Sequence, residues 1–190
     1  NHWSYFRGFA EDAWMNDHHA EFSDGPRVAS IFSWADLRDG NTTRVSQWLR
    51  LLASTGINGL APGDINWQFQ NNMLDHLPEL STLCELTRAH GIRVFWSPNA
   101  LLAPNVSVAA AIWGACPDFG GYLLKLGSEE QPGSPSPAAI NPIADAVAQY
   151  NGTVLLRAFV YGTEYSGNRI TDALDFFSKG DGQYAANVIV

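Results

Sequence analysis

From residue 28 onward the chain alternates between short apolar runs and longer stretches whose apolar residues recur at helical spacing. This alternation constrains the fold more than any other feature. Parallel strands need a crossover of a dozen or more residues between them, and a helix is the usual crossover. The strand-type runs are Val28–Phe32, Ile57–Leu60, Ile92–Trp96, Gly121–Leu126, Thr153–Val160 and Asn187–Val190. Between them, Thr43–Thr55 carries Val45, Trp48, Leu49 and Leu52 on one face and stops at Gly56. Leu77–His90 carries Leu80, Leu83, Cys84 and Leu86 and stops at Gly91. Val106–Trp113, Ile143–Tyr150 and Asp172–Phe177 read as further helices. Roughly six strand signals at about 30-residue spacing predict an α/β fold with a parallel sheet.

Two architectures share that rhythm. A complete (β/α)8 TIM barrel needs about 250 residues, so a chain of this length fits it as an incomplete barrel with about six of eight β/α units. A doubly wound sheet fits the length directly. It normally places a Gly-rich phosphate loop after its first strand, and Ser33-Trp34-Ala35-Asp36 is no such loop. The expected fold is therefore the incomplete barrel.

Composition narrows the function. The 190 residues are 46% hydrophobic and 16% charged, which excludes a disordered chain. A net charge of −8, with 11 Lys and Arg and no basic stripe, argues against a nucleic-acid partner. No apolar run is long enough to span a bilayer, so no membrane partner is expected. Aromatic residues make up 12% of the chain, which suits a protein that stacks rings on sugar faces, although most single rings serve the core. Cys84 and Cys116 match no metal or redox spacing and sit among apolar residues, so buried free thiols are expected. Asp17, His18 and His19 read as a solvated loop rather than a metal site. Neither metal nor other cofactor is expected. The triplets Asn41-Thr42-Thr43, Asn105-Val106-Ser107 and Asn151-Gly152-Thr153 fit N-glycosylation and lean towards secretion.

In a barrel, chemistry sits on the loops after the carboxyl ends of the strands. Here those positions carry Ser33-Trp34, Asp64 to Trp67, Ser97 to Asn99, Ser128 to Gln131, and Arg157 with Tyr161. Glycoside hydrolysis needs a protonated carboxyl for the leaving oxygen and a second carboxyl as base or nucleophile. Lys125 and Glu129 flank one strand terminus, where a solvated surface pair is the simpler reading. Arg157 lies in the middle of an apolar strand, and a guanidinium inside a barrel wall must pair, commonly with a carboxylate. That partner is either a structural carboxylate such as Asp118 or an acid group of the substrate.

The segments Asp118-Phe119-Gly120-Gly121-Tyr122-Leu123-Leu124-Lys125, Ser128-Glu129-Glu130-Gln131-Pro132-Gly133 and Arg157-Ala158-Phe159-Val160-Tyr161 resemble the central domain of family 67 glycoside hydrolases, the α-glucuronidases. So do Asn1-His2-Trp3, Arg7-Gly8-Phe9-Ala10, Leu52 to Gly59, and Asp181-Gly182 through Asn187-Val188, all in the family's order. The resemblance implies a (β/α)8 barrel flanked by two other domains, no metal, and a xylan-derived oligosaccharide substrate. It implies hydrolysis, with inversion, of the α-1,2 bond between (4-O-methyl-)glucuronic acid and xylose. It assigns Glu129 as the general acid, Lys125 and Arg157 as the cationic pair on the uronate carboxylate, and Trp3 as the ring that packs on the glucuronic acid. Residues 1–190 would then be part of the catalytic barrel, without the N- and C-terminal flanking domains.

Three departures accompany the resemblance. Glu130 stands where the family usually has Gly, an Asp- and His-rich insertion spans roughly Met15 to Pro26, and the loop after Gly133 is short and reads Ser134-Pro135-Ser136-Pro137. The family's base carboxylates lie on strands after the one that begins at Asn187, so this chain is expected to be truncated before them. A non-catalytic glucuronate- or xylo-oligosaccharide-binding relative is the alternative function.

Overall fold

A computed structural model describes residues 32, 34–62, 73–98, 106–124, 136–158 and 168–190. Within them the elements run α1 (Trp34–Arg38), α2 (Thr43–Ser54), β1 (Gly59–Leu60), a 3-10 turn (Met73–His76), α3 (Leu77–Arg88), β2 (Arg93–Trp96), α4 (Val106–Ala115), β3 (Gly121–Leu124), α5 (Pro137–Ala148), β4 (Thr153–Leu156), α6 (Arg169–Ser178) and β5 (Val188–Ile189). The fold is α/β. Its strand order is β1-β2-β3-β4-β5, and the registered pairs are parallel. Strands that neighbour in sequence order, each returned by a helix, are the arrangement the alternation predicts. The five described strands do not close a barrel. The sixth expected strand, Val28–Phe32, lies outside the described residues apart from Phe32.

The chain divides into two compact units, Asn1–Phe95 with Ala111–Phe119, and Trp96–Ala110 with Gly120–Val190. In the first, α2 buries Val45, Trp48, Leu49 and Leu52, the face its periodicity marks out. Past its end, Gly56 takes a φ of 83° and Thr55 Oγ1 donates to Leu52 O at 2.8 Å. A left-handed residue after the last turn is a common way to stop a helix, and glycine carries no Cβ to oppose it. α3 buries Leu80, Leu83 and Cys84 and packs on α1 and α2. At its first turn Glu79 is buried and accepts from Arg38 Nε at 2.6 Å. Burial pushes that carboxyl up. The backbone N–H at the helix start and the Arg38 guanidinium outweigh it and hold its pKa below the ordinary value.

In the second unit, β3 and β4 pair along their whole length, from Gly121↔Thr153 to Leu124↔Leu156. Gly121 adopts a φ of 136°, and a Cβ there would lie 1.8 Å from Thr153 O. Only glycine lets the two strands approach at that point. α5 packs on β4. It starts at Pro137 and runs through Pro142, whereas the periodicity placed its start at Ile143. Two asparagines bind the chain that follows to α5. Asn141 Nδ2 donates to Gln183 O at 2.9 Å and its Oδ1 accepts from Ala185 N at 2.8 Å. Asn187 Nδ2 lies 2.9 Å from Ala144 O and 3.0 Å from Gly152 O. The Asp181 to Asn187 segment is thus a bracket between α5 and the start of β5.

One expectation is corrected. Cys84 and Cys116 are buried, but they are not free: they form a disulfide across 32 residues. The helical face of α3 brings Cys84 to the turn that follows α4, a meeting that depends on packing and not on spacing. No described helix is long and apolar enough to cross a membrane.

Candidate active site

The parallel register of β3 and β4 positions the first candidate group. Leu124 pairs with Leu156, and the next residue, Arg157, donates its backbone N–H to Leu124 O at 3.0 Å. Leu124 is the residue bonded to Lys125. The hydrogen bond therefore sets Arg157 beside the point where the chain passes from β3 into Lys125. Burial alternates along β4: Val154 and Leu156 are buried, while Thr153, Leu155 and then Arg157 are half-buried. By the period of two, Arg157 belongs to the row of Thr153 and Leu155. Its Nε is shielded from solvent. A guanidinium partly removed from water at a strand's carboxyl end is a strong and directional site for a carboxylate, because its planar donors match both oxygens.

The structural carboxylate considered as a partner for Arg157 is engaged by a different arginine. Asp118 accepts from Arg88 Nε at 2.8 Å and from Arg88 Nη2 at 2.6 Å, a two-pronged pair. The Arg88 hydrogen bonds lower the Asp118 pKa against the opposing effect of burial, and the nearby charges of Arg88 and Arg93 act in the same direction. Arg93, the first residue of β2, donates to Asp118 O at 3.3 Å and to Phe119 O at 2.9 Å. Cys116 Sγ lies 3.5 Å from Asp118 Oδ1. Cys84, Cys116 and Asp118 bring three potential metal-ligand atoms within 4.8 Å of one another. With the sulfurs joined in a disulfide, no thiolate is available to a metal. This cluster lies at the amino ends of β2 and β3, the end of a barrel-type sheet that supports stability rather than chemistry. Asp118 is thus a structural residue.

The other strand-end candidates divide. Trp34 is buried in α1 and stacked on His76, with ring centroids 4.8 Å apart and planes 13° from parallel, so it serves packing. Ser97 is half-buried just past β2. Trp3, Lys125, Glu129 and Glu130 lie outside the described residues, as do Ser33, residues 64–67, Asn99 and Tyr161. Of the four residues that the resemblance assigns to the site, Arg157 alone is among those described. The disulfide and its neighbouring ion pair are what the sequence reading missed. A separation of 32 residues between two cysteines carries no signal of its own.

Comparison with known proteins gives a family. The model of the glycosyl hydrolase family 67 middle domain matches residues 12–106 and 105–190. A probable alpha-glucuronidase A of Aspergillus fumigatus is 35% identical over 189 residues, covering 85% of this chain and 22% of that protein. An alpha-glucuronidase of Hypocrea jecorina is 33% identical over 201 residues, covering 90% of this chain and 24% of its own length. A probable alpha-glucuronidase A of Aspergillus niger is 29% identical over 194 residues. The chain therefore spans under a quarter of the length of these relatives.

Proposed function

The chain belongs to glycoside hydrolase family 67, and from that premise we propose that it forms part of the catalytic (β/α)8 barrel of an α-glucuronidase. The whole protein would carry flanking domains on either side. It would hydrolyse the α-1,2 bond between (4-O-methyl-)glucuronic acid and xylose in xylan-derived oligosaccharides. The observation that carries this reading is the position of Arg157 at the carboxyl end of β4, its N–H bonded to the residue before Lys125. On this reading Lys125 and Arg157 both hold one substrate group, the uronate carboxylate. Charge-assisted hydrogen bonds to that group distinguish a glucuronic acid from a neutral sugar, since a neutral sugar has no carboxylate to accept them. Trp3 supplies the apolar platform for the sugar ring.

Glu129 lies four residues past Lys125 and acts as the general acid on the glycosidic oxygen. The inverting reaction also requires a carboxylate that activates water on the opposite face of the sugar, some 6.5–9.5 Å from the acid. On this reading that carboxylate lies in the full-length protein beyond Val190. No step calls for a metal.

The test uses the full-length protein on aldobiouronic and aldotriouronic acids, beside Glu129→Gln and Arg157→Ala. Loss of hydrolysis in Glu129→Gln, with substrate still bound, is the expected outcome. Undiminished turnover in that variant would remove Glu129 from its role. Arg157→Ala should weaken uronate-bearing ligands while leaving neutral xylo-oligosaccharides unaffected. Equal loss of both would count against the clamp.

A further inference from the structure

Two of the three Asn-X-Ser/Thr triplets fall among the described residues, and in both the asparagine is exposed. Asn41 is exposed in the turn between α1 and α2. Its backbone N–H donates to Asp36 O at 2.7 Å, and Thr43, two residues on, is exposed at the first position of α2. Asn151 is exposed in the turn between α5 and β4, with a φ of 57° and its N–H on Ala148 O at 3.0 Å. Gly152 and Thr153 complete that triplet, Thr153 opening β4. An asparagine buried in the core could not carry a glycan without unfolding its surroundings, and neither of these is so placed. Asparagine is also among the few side-chain-bearing residues that adopt the left-handed region readily.

The disulfide supplies an independent observation. The chain has two cysteines, and they are bonded to each other. Buried cross-links of this kind form and persist where the surroundings are oxidising, as in the endoplasmic reticulum and outside the cell, and are rare in the cytosol. That oxidising compartment is also where asparagine-linked glycans are added to exposed triplets. The disulfide, which concerns the compartment, and the exposed triplets, which concern local chemistry, converge without sharing a residue.

We propose that Asn41 and Asn151 are N-glycan acceptors and that the protein matures in an oxidising secretory compartment. In the transfer, the Asn Nδ2 forms a bond to the anomeric carbon of a polyisoprenyl-diphosphate-linked oligosaccharide. The bond from that carbon to the diphosphate oxygen breaks, the polyisoprenyl diphosphate leaves with the electron pair, and Nδ2 releases one proton. The hydroxyl of Thr43 or Thr153 is the feature the transferase reads. A glycan on Asn151 sits at the amino end of β4, six residues before Arg157 at its carboxyl end, or roughly 20 Å along an extended chain. The attachment point thus lies at the opposite end of β4 from Arg157.

The test is expression of the full-length protein through the secretory pathway of a filamentous fungus, in an Asn105→Gln background that removes the third triplet. Trimming with an endoglycosidase that leaves one N-acetylglucosamine marks each occupied asparagine, and peptide mass spectrometry reads it. The remnant also separates true occupancy from the spontaneous deamidation to which Asn151-Gly152 is prone. Remnants are expected on the Asn41 and Asn151 peptides, and each should vanish in Thr43→Ala and Thr153→Ala respectively, with the protein still secreted. Recovery of either peptide only in unmodified form, from correctly folded and disulfide-bonded protein, would overturn the assignment of that asparagine. Hydrolytic activity has no part in this readout, so its result is independent of the catalytic proposal.

Discussion

At the scale of single residues, Arg157 and Gly121 show two kinds of constraint on one strand pair. Gly121 is fixed by space. Its φ of 136° and the 1.8 Å approach of a would-be Cβ to Thr153 O mean that Gly121→Ala forces β3 and β4 apart at the first rung of their register. A loss of more than about 2 kcal/mol in unfolding free energy is expected, from a strained φ combined with a backbone clash. Chemical denaturation of the variant measures it, and a loss under about 0.5 kcal/mol, the range of an ordinary surface change, would contradict the packing described. On the proposed reading, Arg157 is fixed by chemistry. Arg157→Lys keeps the charge but not the planar fork, so uronate binding should fall by roughly tenfold or more, the worth of one charge-assisted hydrogen bond. Calorimetry with glucuronic acid and with xylobiose distinguishes this from general damage, because only the first ligand should weaken. Sequence made Arg157 visible as a cation within an apolar strand. It did not show that Asp118 already serves Arg88, because that pairing joins residues 30 apart through the docking of a helix end on a turn.

At the scale of elements, legibility follows how local the cause is. α2 and α3 end where Gly56 and Gly91 allow a positive φ, and their buried faces are those of the apolar periodicity. α5 starts six residues before the Ile143 that periodicity marks, because proline reads as a boundary. Here Pro137 opens the helix, where a missing N–H costs nothing, and Pro142 lies within it on an exposed surface. The strands came out shorter than the apolar runs that signalled them: β1 is Gly59–Leu60 and β4 stops at Leu156. Apolar content reports burial, whereas strand extent depends on the partner's hydrogen bonds. The disulfide was the least legible element because it is a purely tertiary meeting. Its removal is correspondingly informative. Closing a loop across 32 residues is worth about 3–4 kcal/mol in the chain-entropy account. Cys84→Ala with Cys116→Ala should lower stability by an amount of that order, and alkylation of the unreduced, denatured wild-type protein should leave Cys84 and Cys116 unlabelled in peptide mapping. A label on either cysteine would contradict the pairing. The neighbouring pair gives a pH signature. Asp118 has a folded-state pKa below its ordinary 3.8. Its contribution is therefore fully present above the unfolded value and is lost as pH falls through the folded one. Asp118→Asn should reduce the melting temperature at neutral pH and flatten its fall on acidification below about pH 4. An unchanged acid slope in that variant would mean the Arg88 pair does not form in solution.

At the scale of the whole molecule, the proposed reaction divides its acid and its base between separate stretches of a longer chain, and the pH dependence of the full-length protein should reveal that division. A general acid must be protonated and a general base ionised, so turnover is expected to follow a bell in pH. The alkaline limb belongs to Glu129 on this reading, since activity fails once the acid has lost its proton. Glu129→Gln should lower turnover by roughly 10²–10⁴-fold on substrates whose leaving sugar needs protonation, and should abolish the alkaline limb. An aryl glucuronide with an acidic leaving group needs little protonation, so its hydrolysis should be far less impaired by the same substitution. That contrast identifies an acid rather than a residue whose loss merely disturbs the fold. Glu130 provides the internal control. Glu130→Gln is expected to leave the alkaline limb where it was. A shift of the limb to lower pH would instead mean that the Glu130 charge holds the acid's pKa up by like-charge repulsion. Pre-steady-state rates on xylan-derived and aryl substrates, measured across pH for the three proteins, separate these cases. A Glu129→Gln protein with an intact alkaline limb would assign the acid to another residue and leave Arg157 and Lys125 as a uronate-binding pair alone.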